Sequence, residues 1–211
     1  MNKTSNLRTT YYALRTTPGF TLIELVVVVG IITVVTSIVL ANNAKYGGSV
    51  LLQNLAYDIA LSIRQAQVYG ISVRGFGVNN STFTVGYGMH FSTTDPTHYE
   101  LFADLAGTGV YDANFNPPEN IPPSPYVIGR GYKIKSLCAT RNNNEQCNFD
   151  TLDVLFKRPE PDARITARNG SGQSCVENNN QCQESARIII ESPRGDVLSV
   201  VVDATGQISV Q

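Results

Sequence analysis

A single carboxylate, Glu24, lies inside a long apolar run of the sequence. From Phe20 to Ala41 there are 22 residues, and Glu24 is the only charged one among them. A carboxylate in the hydrocarbon core of a bilayer costs roughly 2.5–3.5 kcal/mol, so such an acid is expected to serve a function and to find a cationic partner. The run itself supplies no other ionisable side chain. The sequence therefore predicts that Glu24 pairs with a cation from outside the run.

Four cysteines, Cys138, Cys147, Cys175 and Cys182, all follow the apolar run. If the run crosses a membrane, they lie on the exported side, where an even number of cysteines indicates disulfides. Each consecutive pair encloses an Asn-rich polar segment. Three pairings are possible, and the likeness of the two segments favours Cys138–Cys147 together with Cys175–Cys182. The spacing within each pair is too long for a typical structural zinc site, so no metal is expected there.

The remaining side chains that could do chemistry do not form a known motif. His90 and His98 have neither the spacing of a metal pair nor a nucleophile motif beside them. Asp104 and Asp112 flank two glycines, but the alternating acids and the final Glu of a calcium loop are missing, which favours an ordinary turn. We therefore expect no enzymatic activity, no metal and no cofactor.

Two groups of basic residues occur in the second half of the chain and are interpreted as solvated strand surfaces, with DNA binding as the alternative. The first group is Arg130, Lys133, Lys135 and Arg141, and the second is Lys157, Arg158, Arg164 and Arg168. The formal net charge of the whole chain is −1. Residues 1–19 contain three cations and no acid, so the chain without them is more acidic still. A mildly acidic protein does not attract nucleic acid by its net field, and nucleic acid is an unlikely partner.

The apolar run itself is predicted to be a membrane-spanning helix over residues 20–41. A helix of that length is about 33 Å long, enough to cross the ~30 Å hydrocarbon core in contact with lipid. The basic residues of the preceding segment, 1–19, are expected to stay in the cytoplasm. Two alternatives remain open: an ordinary single-pass anchor, and a secretory signal that is cut after Ala41.

Residues 42–70 are predicted to continue the helix as an amphipathic segment. This segment begins with a polar hinge that contains Gly47-Gly48, which is expected to interrupt or soften the helix. One apolar stripe recurs at steps of three and four and is predicted to pack on a sheet. Its members are Leu52, Leu55, Ile59, Ile63 and Ala66. The helix is expected to end near Gly70, as a C-terminal cap.

Residues 71–211 contain short alternating segments and turn signals, which predict a β-rich globular domain. The predicted strands are Val73–Val78, Thr82–Tyr87, His98–Phe102, Tyr126–Leu137, Leu152–Lys157, Ala186–Glu191, Val197–Asp203 and Gln207–Val210. Asn79-Asn80, Asn142–Asn144 and Asn178–Asn180 are predicted turns, and the proline-rich stretch 113–125 is a predicted loop. One long helix followed by many strands indicates an α+β fold, with the helix packed on an antiparallel sheet.

The segment Gly19-Phe20-Thr21-Leu22-Ile23-Glu24-Leu25 resembles the processing site of the type IV pilin family. The resemblance implies that prepilin peptidase removes residues 1–19, that Phe20 becomes an N-methylated N-terminus, and that Glu24 acts in assembly. The family also combines a membrane span with an amphipathic segment in one long N-terminal helix. The leader is longer than many prepilin leaders, and Pro18 stands where the family commonly has a basic residue.

The C-terminal part resembles the GspH/FimT type of minor pilins and pseudopilins. The similar pieces are 187–195, 200–203, 206–210 and the stretch 99–112. In this subfamily the last turn often carries Arg after its glycine, whereas here Gln207 follows Gly206, which weakens the DNA-binding alternative.

Together these resemblances imply a structural subunit of a type IV pilus or of a type II secretion pseudopilus. Its expected partners are prepilin peptidase, other pilin or pseudopilin subunits, the inner-membrane assembly platform and lipid. It would be a single-pass inner-membrane protein, with its C-terminal domain outside the cytoplasm, before it enters the filament. The alternatives are a DNA-binding minor pilin for natural transformation and a conventionally secreted binding domain.

Overall fold

The computed structural model describes residues 19–72, 75–76, 84–170, 175 and 182–211, except the side chains of 41–46. The elements in chain order are α1 (Leu22–Ile71), β1 (Gly86–Ser92), β2 (His98–Asp104), β3 (Tyr126–Val127), β4 (Lys133–Arg141), β5 (Asn144–Cys147), β6 (Thr151–Phe156), β7 (Ala163–Arg168), β8 (Ser185–Glu191), β9 (Val197–Asp203) and β10 (Ile208–Val210). The chain divides into two compact units, Met1–Ala44 and Lys45–Gln211.

The second unit contains two antiparallel sheets of five strands each. Their strand orders are β3-β2-β1-β6-β7 and β10-β9-β8-β4-β5. Along β1 and β6 the side chains alternate between two faces, so that Tyr87, Met89 and Phe91 share one face with Leu152 and Val154 of the neighbouring strand. The fold is therefore α+β, with two antiparallel sheets rather than the one that the sequence suggested.

The predicted apolar stripe of α1 packs into the core of the second unit. Four of its five members, Leu52, Ile59, Ile63 and Ala66, are at most 2% exposed, whereas Leu55 is only partly buried and the neighbouring Ala56 is fully buried in its stead. They belong to one hydrophobic cluster with buried side chains of both sheets. Burial of a large aliphatic side chain contributes about 1.5–3 kcal/mol, so this face of the helix is a main source of the unit's stability.

Two expectations about glycines in the helix are wrong. Gly47 and Gly48 are helical, and α1 is not interrupted there. The helix ends one residue beyond Gly70, as expected, but Gly70 is needed for space and not for a cap. A Cβ at this position would lie 2.4 Å from the backbone oxygen of Phe156. Gly70 therefore permits the close approach of the helix to β6.

Most predicted strands are present, but several boundaries differ and two strands were not predicted. The predicted strand Tyr126–Leu137 is divided into β3 and β4 by a turn around Arg130 and Gly131, both of which have positive φ. The strands β5 and β7 were not predicted. The strand β5 is mainly polar and exposed, so it lacks the usual alternation, whereas β7 alternates apolar and polar residues and could have been predicted. Of the predicted strands, residues 73–74 and 77–78 of Val73–Val78 and residues 82–83 of Thr82–Tyr87 lie outside the described residues, as do the turns Asn79-Asn80 and Asn178–Asn180 and the leader up to Pro18. The end of Thr82–Tyr87 is the start of β1, which continues to Ser92.

The proline-rich loop between β2 and β3 is held by a buried carboxylate, Glu119, which is 1% exposed. One oxygen of Glu119 accepts hydrogen bonds from the backbone amides of Leu105 and Ala106, at 3.0 and 3.2 Å. The other accepts one from the amide of Asp112, at 2.9 Å. The turn expected around Asp104 and Asp112 is thus closed by an acid that lies further along the chain.

Candidate assembly site

The N-terminal end of the first unit begins with two exposed residues, Gly19 and Phe20, of which Phe20 is 79% exposed. Helix α1 starts immediately afterwards, and Thr21 is its N-cap. The Thr21 hydroxyl oxygen accepts a hydrogen bond from the backbone amide of Glu24 at 3.3 Å, and the Thr21 carbonyl accepts one from Leu25 at 3.1 Å. The predicted processing position therefore lies in extended chain directly before a capped helix.

Glu24 lies at the third position of the helix, in the first turn. The positive end of the helix dipole favours an acid there, by about 0.3–1 kcal/mol at exposed sites. Thr21 and Glu24 have the spacing of a capping box, in which Ser or Thr is followed three residues later by Glu. This local role of Glu24 was missed by the sequence reasoning, although the Thr-x-x-Glu spacing could have indicated it.

The first unit contains one helix that is long and apolar enough to cross a membrane, Leu22–Leu40, with 19 residues of which none is buried in the described part of the chain. Three hydroxyls in this span bond within the helix itself. Thr33 donates to the carbonyl of Val29, Thr36 to that of Ile32 and Ser37 to that of Thr33, at 2.7–2.8 Å. The hydroxyls therefore need no partner from lipid or from another helix.

The second unit's part of α1 has a further apolar face, roughly opposite the buried stripe. Val50, Tyr57, Leu61 and Val68 are 53, 49, 66 and 55% exposed. At 100° per residue these four side chains fall within an arc of about 40°. Exposed apolar residues that share one face of a helix in this way are typical of an interaction surface.

This face has the spacing of a coiled coil, with alternating steps of four and three residues. We call it the helix seam, and its seven positions are Val50, Asn54, Tyr57, Leu61, Arg64, Val68 and Ile71, all exposed. Such a repeat places every member against a partner helix, and a polar residue within it sets register and partner. The seam was not predicted, because Asn54 and Arg64 interrupt the apolar pattern.

The four predicted cysteines form two local disulfides, Cys138–Cys147 and Cys175–Cys182. Cys138 and Cys147 are directly opposite each other on β4 and β5, so the segment expected as a loop is a β-hairpin. Its tip, Asn142 and Asn143, has positive φ, as its composition suggested.

Three of the predicted basic residues pair with acids of the same domain. Lys133 and Lys135 pair with Glu191, at 3.6 and 2.9 Å, and hydrogen bonding to Lys135 lowers the pKa of the Glu191 carboxyl. Arg168 of the second group lies 3.5 Å from the fully buried Asp153. These contacts agree with the interpretation of the basic groups as strand surfaces.

His90 also contacts Asp153, from the neighbouring strand, with 2.7 Å between its Nδ1 and a carboxylate oxygen. His98 lies on the surface, 2.8 Å from Asp95, and lowers the pKa of that carboxyl. Both histidines therefore bind acids of neighbouring segments, as side chains in strands commonly do.

Comparison with known families finds a match at the N-terminal end. Residues 15–40 match the prokaryotic N-terminal methylation motif. The match supports a pilin-like protein. It covers the processing position, Glu24 and almost all of the span, and it fits a pilin-like subunit that is anchored in a membrane. No curated protein and no solved structure matches the chain.

Proposed function

We propose that this pilin-like chain is a structural minor subunit of a type IV pilus or of a type II secretion pseudopilus. Prepilin peptidase cuts between Gly19 and Phe20 on the cytoplasmic side, and the new terminus at Phe20 is methylated. The processed subunit waits in the inner membrane, with its second unit outside the cytoplasm, until the assembly platform adds it to the filament. The methylation motif over residues 15–40 supports this sequence of events.

In this account Glu24 recognises a cation that cleavage creates. In the described part of the chain the Glu24 side chain has no ion pair, and the span contains no basic residue. Cleavage before Phe20 produces an α-amine four residues from Glu24. Pairing Glu24 with the amine of a neighbouring subunit removes the cost of its charge and fixes the axial register, since losing one partner of a buried pair costs roughly 3–5 kcal/mol.

The observation that carries the proposal is the exposed helix seam on the second unit. Two copies of this chain in parallel and in register would place Arg64 against Arg64, and like charges at such positions are unfavourable. A displacement by one heptad, about 10 Å, brings Arg64 next to Tyr57 and Asp58 of the other copy. A displaced, head-to-tail contact of this kind propagates into a filament and does not close into a dimer.

The test compares charge introduced into the seam with charge introduced elsewhere. Leu61→Asp places a carboxylate in the middle of the seam, and Val197→Asp places one at an exposed apolar residue of β9, outside it. We expect Leu61→Asp to reach the membrane at the normal level but to be at least tenfold depleted from sheared filaments. Val197→Asp should be recovered like the unmodified protein. Equal recovery of both variants would refute a role of the seam in assembly.

A further inference from the structure

A polar groove of about 500 Å³ lies between the hairpin β4–β5 and the strand β7. Its walls include Arg141, Asn144, Gln146, Phe149 and Gln183. Asn144 and Gln146 are exposed, Arg141 and Phe149 are partly buried, and Gln183 is buried. None of these residues belongs to the helix seam or to the span, so the groove is not accounted for by assembly.

Two disulfides cross-link the Asn-rich segments that form the walls of the groove. The disulfide Cys138–Cys147 closes the hairpin that carries Arg141 and Asn144, and Cys175–Cys182 closes the segment that precedes Gln183. The backbone amide of Gln183 donates to the carbonyl of Ile165 on β7, at 3.1 Å. A groove with walls fixed in this way loses little conformational entropy when a ligand binds.

Glu184 joins the two disulfide-closed segments. Its carboxylate oxygens accept hydrogen bonds from the backbone amides of Asn142 and Asn143, at 3.0 and 3.3 Å. Glu145 on β5 pairs with Arg187, at 2.9 Å. These two acids, both in the described part of the chain, are thus occupied and do not compete for Arg141.

Arg141 makes no ion pair or hydrogen bond with another side chain in the described part of the chain. A partly buried guanidinium without a partner favours a planar carboxylate, which it can bind through two parallel hydrogen bonds. The exposed amides of Asn144 and Gln146 each offer both donors and an acceptor, which suits hydroxyl groups. Phe149 adds an apolar ring surface to the same groove.

From this combination we infer that the groove binds an acidic saccharide, in which carboxylates and hydroxyls alternate around apolar ring faces. An acidic peptide is less well matched, because peptide sites depend on a deep apolar anchor pocket and this groove is mainly amide-lined. Nucleic acid requires several cations along a backbone, whereas Arg141 is the one cation among the lining residues named for this groove. The inference concerns a surface separate from the seam and does not depend on assembly.

Binding can be measured by titration calorimetry on the full chain in detergent micelles, with tetragalacturonate as the acidic probe and maltotetraose as its neutral counterpart. We expect tetragalacturonate to bind and maltotetraose to bind at least tenfold more weakly. Arg141→Gln should weaken tetragalacturonate binding about tenfold or more, as expected for a lost hydrogen bond to a charged group. Arg164→Gln is the matched control, because Arg164 is an exposed cation of β7 that does not line the groove.

Three outcomes would overturn the inference. The first is the absence of tetragalacturonate binding at millimolar concentration. The second is an equal loss of affinity in Arg141→Gln and Arg164→Gln, which would indicate attraction by general charge. The third is tighter binding of a poly-glutamate peptide or of a single-stranded oligonucleotide, with the same dependence on Arg141, because the groove would then serve a different class of ligand.

Discussion

The hydroxyl oxygen of Thr21 accepts a hydrogen bond from the backbone amide of Glu24, over 3.3 Å, at the first turn of the long helix. This contact gives Glu24 a local position that does not depend on any other subunit. The acid is held at the helix N-terminus next to the site of the expected cleavage. Glu24 can therefore meet an α-amine without a change in its backbone.

The Thr21 cap predicts a local effect of mutation. Thr21→Val retains the shape of the side chain but removes the acceptor, which should cost about 1 kcal/mol of helix-end stability. Amide hydrogen exchange at Glu24, measured by NMR in nanodiscs, should become about fivefold faster. Thr21→Ser keeps an acceptor and should exchange at the rate of the unmodified protein. An unchanged rate in Thr21→Val would show that the cap does not stabilise the helix start.

The Glu24 charge predicts a defect in assembly alone. Glu24→Val and Glu24→Gln remove the charge, so both should insert and be cleaved normally but fail to enter filaments. Glu24→Asp keeps the charge and should retain part of the assembly. Filament incorporation can be measured by immunoblotting of sheared and membrane fractions. Normal incorporation of Glu24→Gln would mean that the ion pair with a neighbouring amine is not the assembly signal.

The displaced packing of the helix seam predicts a charge-swap rescue. A photo-crosslinking residue in place of Leu61 should capture a second copy in the membrane. Arg64→Asp and Asp58→Arg should each lower the yield several-fold, because each leaves like charges facing each other across the seam. The double change should restore it. Packing in register would instead be improved by Arg64→Gln and unaffected by Asp58→Arg.

The two disulfides predict a graded loss of stability. Closing loops this short contributes about 2–3 kcal/mol each, so removal of one bridge should lower the Tm by about 5–10 °C. For the first bridge the suitable variant is Cys138→Ala with Cys147→Ser, because Cys138 is fully buried. Membrane insertion should be unchanged. Non-reducing peptide mapping that joins Cys138 to Cys175 or Cys182 would contradict the pairing.

The buried acids of the β2–β3 loop predict a pH dependence. Burial raises the pKa of Asp104 and of Glu119, although backbone amide hydrogen bonds act in the opposite direction. The folded state therefore holds more protons than the unfolded chain, between the ordinary carboxyl pKa of about 4 and the raised values. These two groups thus favour folding most at low pH, and their contribution declines as the pH rises through the raised pKa values.

Asp104→Asn tests this sign. Asp104 is 4% exposed, and its Oδ1 has no hydrogen-bond partner in the described part of the chain. The variant should gain stability relative to the unmodified protein as the pH rises from about 4 to 7, measured by urea unfolding of the full chain in detergent. Glu119→Gln should instead be destabilised, because one of its two amide-binding oxygens becomes a donor. A difference between Asp104→Asn and the unmodified protein that does not vary with pH would contradict the raised pKa.

Features whose signals lie close together in the sequence could be predicted, whereas features that depend on contacts between distant residues could not. The buried stripe from Leu52 to Ala66 follows from periodicity alone, and the disulfides follow from the likeness of two segments. The role of Glu119 was not visible, because its partners lie up to 14 residues away and are backbone amides. The strand β5 is mainly polar and lies at the edge of its sheet. Its pairing is fixed by β4 and not by its own composition.

The helix seam was not predicted from the sequence for a different reason. Its spacing is present in the sequence, but Leu52 and its buried neighbours supply a stronger pattern on the same helix. Only the exposure of Leu61 and Val68 in the folded chain distinguishes a second apolar face from scattered surface residues. Arg141 is a second example. The sequence placed it in a basic group with Lys133 and Lys135, whereas in the structure those two lysines pair with Glu191 and Arg141 lines the groove.

The intact mass of the protein extracted from its native membrane tests the account most directly. Processing by prepilin peptidase predicts a chain that lacks residues 1–19, begins at Phe20 and carries one added methyl group. Leu61→Asp should be processed in the same way, with a mass that differs only by the substitution itself, since processing precedes assembly. A mature chain that begins at Asn42 would establish a conventional secretory signal, remove Glu24 from the mature protein and contradict the proposal that this chain is an assembled subunit.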